Sequence, residues 1–171
     1  MQCANATFTD CNTKACYDHI ITIITALAEY KAGLPANVCI LLAKALKQME
    51  YSMVTAYGPS TITNRHSLAN PLHGIGQGPT DAPPGWTFNV DICTKCYDKL
   101  THGFTITDPT KTLQIKQNAV QFVDDNKLAH NGGKNDLTLT QLIDLTRHDI
   151  TLWDTFLYID GGQLELTKNS V

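Results

Sequence analysis

The chain has 171 residues, 43% of them hydrophobic, and a formal net charge of −3. That length and apolar fraction suffice for one buried core, so a single domain over residues 1–171 is expected. The acidic balance excludes tight nucleic-acid binding through overall charge and leaves only a local groove or a basic partner region to supply it.

The first twenty residues, MQCANATFTDCNTKACYDHI, have neither a basic flank beside an apolar core nor a cleavage site, so no signal peptide is expected. No apolar run is long enough to span a bilayer, and no membrane partner is expected. Six cysteines (Cys3, Cys11, Cys16, Cys39, Cys93 and Cys96) then read as reduced thiols of an intracellular protein, cytoplasmic or nuclear.

In chain order, residues 5–12 predict a short strand. Asp18 to Lys31 carries Ile20, Ile21, Ile24, Leu27 and Ala28 at helical spacing, with Asp18 as N-cap and Gly33 and Pro35 as the stop. A second helix follows, with Val38, Leu41, Leu42, Ala45 and Met49 on its apolar side. Tyr51 to Tyr57 reads as extended, and Gly58 to Asn70 as a polar loop. The segment HGIGQGPTDAPPGW leads into a helix over Trp86 to Leu100, whose first turn the double proline suits. Cys93 and Cys96 lie on that helix with Trp86, Val90, Tyr97 and Leu100; without a second ligand pair, core packing is a better reading than zinc.

Leu113 to Val123 predicts a strand and Lys127 to His130 its returning partner, with Asp124 and Asp125 between them. The two aspartates read either as turn formers or as oxygen ligands for a hard cation that offsets their repulsion. A long helix over Leu137 to Tyr158 has Leu139, Leu142, Ile143, Ile150, Trp153 and Leu157 for a buried face. GGQLELTK ends the pattern as a turn and a strand. The six histidines show no ligand spacing. The interleaved elements with one clear hairpin predict an α+β fold, a small antiparallel sheet with helices packed on one face.

Four of these segments, in this order, resemble the palm domain of reverse transcriptases, in the non-LTR retroelement and group II intron-like branch. FTDCNTKACYDHI resembles the first palm motif, an aspartate at a strand end followed five residues later by an aromatic residue. GIGQGPTDAPPGW is similar to the Gly-x-x-Gln-Gly and Ser-Pro motif, with Ala82 in the serine's place. QFVDD resembles the aromatic-x-Asp-Asp hairpin, and the helix ending near Trp153 with GGQLELTK is similar to the next motif. The match runs from Phe8 to Lys168.

The resemblance implies a retroelement fragment whose family reaction is template-directed, two-metal nucleotidyl transfer. Its partners would be an RNA template, a DNA primer, deoxynucleoside triphosphates and the fingers and thumb regions of a longer polyprotein, and its cofactor Mg²⁺ or Mn²⁺. Such chemistry needs two ions about 4 Å apart, held by several carboxylates. By resemblance, Asp124 and Asp125 would bind them, Asp124 more directly. Tyr17 would lie under the incoming sugar, and Gly76, Gln77 and Gly78 would approach the nucleotide. Lys168 would approach the leaving phosphate.

The sequence departs from the pattern at Asn12, where the family places a metal-binding aspartate. An amide oxygen can ligate Mg²⁺ but brings no charge. Asp10, two residues earlier, faces the same side of a strand but is displaced by about 6.6 Å. Three readings follow: an impaired polymerase palm, a degenerate palm that binds nucleotide or nucleic acid without chemistry, and an unrelated α+β module that uses the aspartates as a turn.

Overall fold

The structure is a computed structural model, and it describes residues 5–14, 16–67, 74–75, 82–122, 125–131 and 137–165. The chain divides into two compact units, the first comprising residues 1–16 and 90–171 and the second residues 17–89. The fold is α+β with small antiparallel sheets.

In the first unit, strand β1 (Ala6–Asn12) pairs antiparallel with β7 (Asp125–Asn131), which pairs antiparallel with β6 (Ala119–Phe122). Period-two alternation decides which face is covered. Thr9 and Cys11 on β1 and Asn126, Leu128 and His130 on β7 are buried, while Phe8, Asp10, Asp125 and Lys127 face solvent. Helix α5 (Leu139–Ile159) lies against β1 and β7, so this sheet is covered on one face as expected. The helix starts in a capping box: Thr138 Oγ1 accepts from the Gln141 N–H, and Gln141 Oε1 accepts from the Thr138 N–H.

The inner stripe of α5 is Leu142, Thr146, Asp149, Trp153 and Leu157. Leu139, assigned to that stripe from sequence, is exposed because it belongs to the first turn and precedes the packed face. Trp153 and Tyr97, both fully buried, meet edge to face with ring centroids 5.3 Å apart. Tyr97 stands on α4 (Ala82–Leu100), the helix predicted after the double proline. Leu100, at its end, is exposed.

Beyond α4, β4 (Phe104–Thr107) and β5 (Gln114–Gln117) form a two-stranded sheet. The strand predicted over Leu113 to Val123 is therefore two strands, β5 and β6, broken at Asn118. The break has a physical reason. Asn118 is buried and donates Nδ2 to Asp98 O at 3.2 Å and Thr101 Oγ1 at 3.0 Å, while Lys116 Nζ donates to Thr101 O at 2.7 Å. Both side chains satisfy carbonyl and hydroxyl acceptors at the α4 C-terminus, where a cation and amide donors suit the helix dipole.

In the second unit the predicted helix over Asp18 to Lys31 is two pieces, α1 (Cys16–His19) and α2 (Thr22–Lys31). Asp18 sits inside α1 rather than capping a helix. Gly74 explains the break: its N–H donates to Ile20 O at 2.7 Å, and the Ile75 N–H donates to Tyr17 O at 2.8 Å. The Gly74 backbone packs so closely on Tyr17 and Asp18 that a Cβ would lie 2.6 Å from Tyr17 O.

The break changes the helical phase. Thr22, Thr25, Ala26, Ala28 and Glu29 face inward on α2, and Leu27 is exposed. On α3 (Ala36–Gln48) Cys39 is the buried residue, and Val38 and Leu41 are exposed, opposite to the expected face. The segment read as a polar loop contains β3 (Gly58–Arg65), which forms a hairpin with β2 (Glu50–Thr55). Its threonines and isoleucine favour a strand, and Gly58 at φ +109° turns the chain.

Candidate functional site

The open face of the three-stranded sheet carries three of the residues that the sequence singles out, Asp10, Asn12 and Asp125. Register places Asp10 opposite Lys127 and Asn12 opposite Asp125. Directly opposed residues project to the same side, so all four share the uncovered face. A cleft of about 280 Å³ is lined by these four with Cys11 and Asn126.

Each of these four side chains is engaged by its cross-strand neighbour. Asn12 Nδ2 donates to Asp125 Oδ1 at 2.8 Å. Lys127 Nζ lies 2.8 Å from Asp10 Oδ1. The hydrogen bond and charge of Asp10, with a contribution from Asp125, raise the Lys127 pKa above its ordinary value and hold it charged. Both partners of this ion pair are largely exposed, so its contribution to stability is small. Its meaning is positional: an ammonium already neutralises Asp10.

Beneath the face, Cys11 is buried, and burial, then the Asp10 and Asp154 carboxylates, push its thiol up to about 11. It stays protonated and inert at neutral pH. Asn126, also buried, donates Nδ2 to Thr13 Oγ1 at 3.3 Å and ties the start of β7 to the end of β1.

The segment resembling the fourth motif joins the same edge. Lys14 N–H donates to Gln163 O at 2.9 Å, Glu165 N–H donates to Asn12 O at 2.8 Å, and Thr13 bridges Leu164. Three of the four resembling segments thus converge at the end of β1.

Of the residues singled out from sequence, Asp10, Asn12 and Asp125 meet here. Asp124, Gly76, Gln77, Gly78 and Lys168 lie outside the described residues. Tyr17 belongs to the second unit, half-buried, with its ring edge-on to Trp86 at 6.3 Å. Lys127 is the residue that sequence reading passed over as a strand start. Its signal is visible only once the register is known.

Among the described residues no three histidine, cysteine, aspartate or glutamate side chains converge on a point that could hold an ion. Asn12 turns an N–H, not its oxygen, toward Asp125, and Asp10 is paired with an ammonium. As arranged, these three do not fit a two-ion centre. Among the described residues, no helix is long and apolar enough to cross a membrane. The chain matches no protein-family model and no curated protein sequence.

Proposed function

We propose that this chain is a reverse transcriptase-type palm whose carboxylate cluster is disarmed, and that it binds nucleotide or nucleic acid without transferring nucleotides. The observation that carries the proposal is the antiparallel pairing of β1 with β7, which sets Asn12 against Asp125 across 113 residues of sequence. The resemblance calls for those two segments to be neighbours, and the pairing supports it. The same pairing supports loss of chemistry, because a neutral amide that donates to a carboxylate cannot lower a primer hydroxyl's pKa as an aspartate-bound ion does.

The chain's own residues would then act by shape and charge. Lys127 would supply a cation on the open face by exchanging its exposed Asp10 partner for a phosphate, and Phe122, which pairs across from Asp125 and is exposed, supplies an aromatic surface. Mg²⁺ or Mn²⁺, if held, would rest on Asp124 and Asp125, and the Asn12 amide would have to turn its oxygen toward the ion in place of the N–H it now donates. Fingers and thumb regions such as the family uses would tighten the hold on template and primer.

The test is fluorescence anisotropy of an annealed RNA template and DNA primer, with deoxynucleoside triphosphates, on the wild type and Asp124→Ala, run beside primer extension in Mg²⁺ and Mn²⁺. The expected result is binding that survives Asp124→Ala and no extension by either protein. Extension abolished by Asp124→Ala would establish an active polymerase palm. No binding by either protein would leave the unrelated α+β module.

A further inference from the structure

Helices α2 and α3 carry their large apolar side chains on the wrong side for a core. The inner face of α2 is made of small or polar residues, whereas Ile23, Leu27 and Tyr30 point outward at 55%, 60% and 59% exposure. Their spacing, i, i+4 and i+7, makes one continuous ridge. Across from it on α3, Ile40 is 54% exposed. Between the two helices runs a groove of about 330 Å³ whose lining is apolar apart from Tyr30 and the lysines Lys44 and Lys47. Ala26, Ala36 and Ala43 keep it open, since small side chains leave room between helix axes.

Lys44 and Lys47, one turn apart on α3, are exposed and have no acidic partner among the described residues. Among the described residues no acid lines the groove. The surface therefore combines an apolar trough of helical pitch with two uncompensated ammonium groups at its edge.

We propose that this groove is a docking site for an acidic amphipathic helix of a partner protein, which lays an apolar stripe between Ile23, Leu27, Tyr30 and Ile40 and sets flanking carboxylates against Lys44 and Lys47. A trough between two helices accepts a third by the same ridge-and-groove packing that joins helices in cores. Charge selects among occupants. A second copy docking face to face would join two lysine-edged troughs with no lining acid among the described residues to offset the four ammonium groups, and like charges oppose that. A chain of net charge −3 with only these two lysines on the trough is a poor match for an anionic membrane.

The probe is a fluorescein-labelled helical peptide of about 16 residues, long enough to match the 13-residue α3 at 1.5 Å per residue. It carries leucines at i, i+3, i+4 and i+7 and glutamates on the flanks; a second peptide has lysines in place of the glutamates. The full chain is expected to bind the acidic peptide, with roughly tenfold loss on Leu27→Asp with Ile40→Asp, as expected for central apolar anchors. Lys44→Glu with Lys47→Glu should weaken the acidic peptide and strengthen the basic one. All four positions are solvent-exposed or rim residues, and circular dichroism melts confirm that the variants fold. Equal binding of both peptides, binding untouched by these substitutions, self-association lost on Leu27→Asp without peptide binding, or binding to phosphatidylserine vesicles in place of the peptide would each overturn the proposal.

Discussion

Asn12 lies directly across the β1 and β7 ladder from Asp125 and donates its amide N–H to that carboxylate at 2.8 Å. The bond replaces a repulsion, because two carboxylates opposed in a sheet destabilise it. Asn12→Asp in metal-free buffer is expected to lower Tm by about 2 °C, a fraction of a kcal/mol for a chain of this size. A thermal melt in EDTA checks it. An unchanged or higher Tm would mean that the amide hydrogen bond contributes nothing there.

Asp160 follows α5 as its C-cap, is buried, and its Oδ1 accepts no hydrogen bond among the described residues. Burial raises its pKa from 3.8 to about 7. The folded state thus holds this proton more tightly than the unfolded chain. Asp160's contribution is fully present below about pH 4, falls as pH rises to about 7, and is flat above that. The difference between 3.8 and about 7 corresponds to roughly 4 kcal/mol as an upper figure. Asp160→Asn should flatten that part of the urea-unfolding pH profile and make the protein more stable at pH 8. A slope that persists in the variant would place it on another group.

Gly103 has φ +66°, and a Cβ there would fall 1.8 Å from Asn118 Oδ1. Asn118 cannot retreat, since its amide holds Asp98 O and Thr101 Oγ1 at the end of α4. Gly103→Ala is expected to cost about 2–4 kcal/mol in chemical denaturation, from backbone strain and the displaced buried amide.

Tyr97 and Trp153 form the centre of the first unit, and neither the Tyr97 hydroxyl nor Trp153 Nε1 has a hydrogen-bond partner among the described residues. Trp153→Ala should cost about 3–5 kcal/mol through the cavity it leaves. Tyr97→Phe should instead raise stability by about 1 kcal/mol, because it deletes a buried hydroxyl that makes no hydrogen bond. Urea titration of the pair distinguishes packing from polar satisfaction; a destabilised Tyr97→Phe would reveal a partner for the hydroxyl.

What could be read from the sequence is what local chemistry decides. The alternation of FTDCN places Asp10 and Asn12 on one face of a strand, the double proline marks the first turn of α4, and Thr138 with Gln141 starts α5. Long-range contacts hid the rest. The α2 face is misread because Gly74, some fifty residues on, docks on Tyr17 and Ile20 and interrupts the helical phase. β3 is too polar to stand out from a loop until it pairs with β2. Lys127 reads as a plain strand residue until the β1 and β7 register sets it opposite Asp10.

The most direct test of the proposal that the site is disarmed is Mn²⁺ titration followed by electron paramagnetic resonance on the wild type and on Asn12→Asp with Lys127→Gln. The double variant removes both the donating amide and the competing ammonium, and it frees Asp10. The account predicts no saturable Mn²⁺ binding to the wild type below the millimolar range and at least roughly tenfold tighter binding to the double variant, about 1.4 kcal/mol. Tight binding to the wild type, lost on Asp124→Ala, would contradict it and restore a metal centre to this sheet edge.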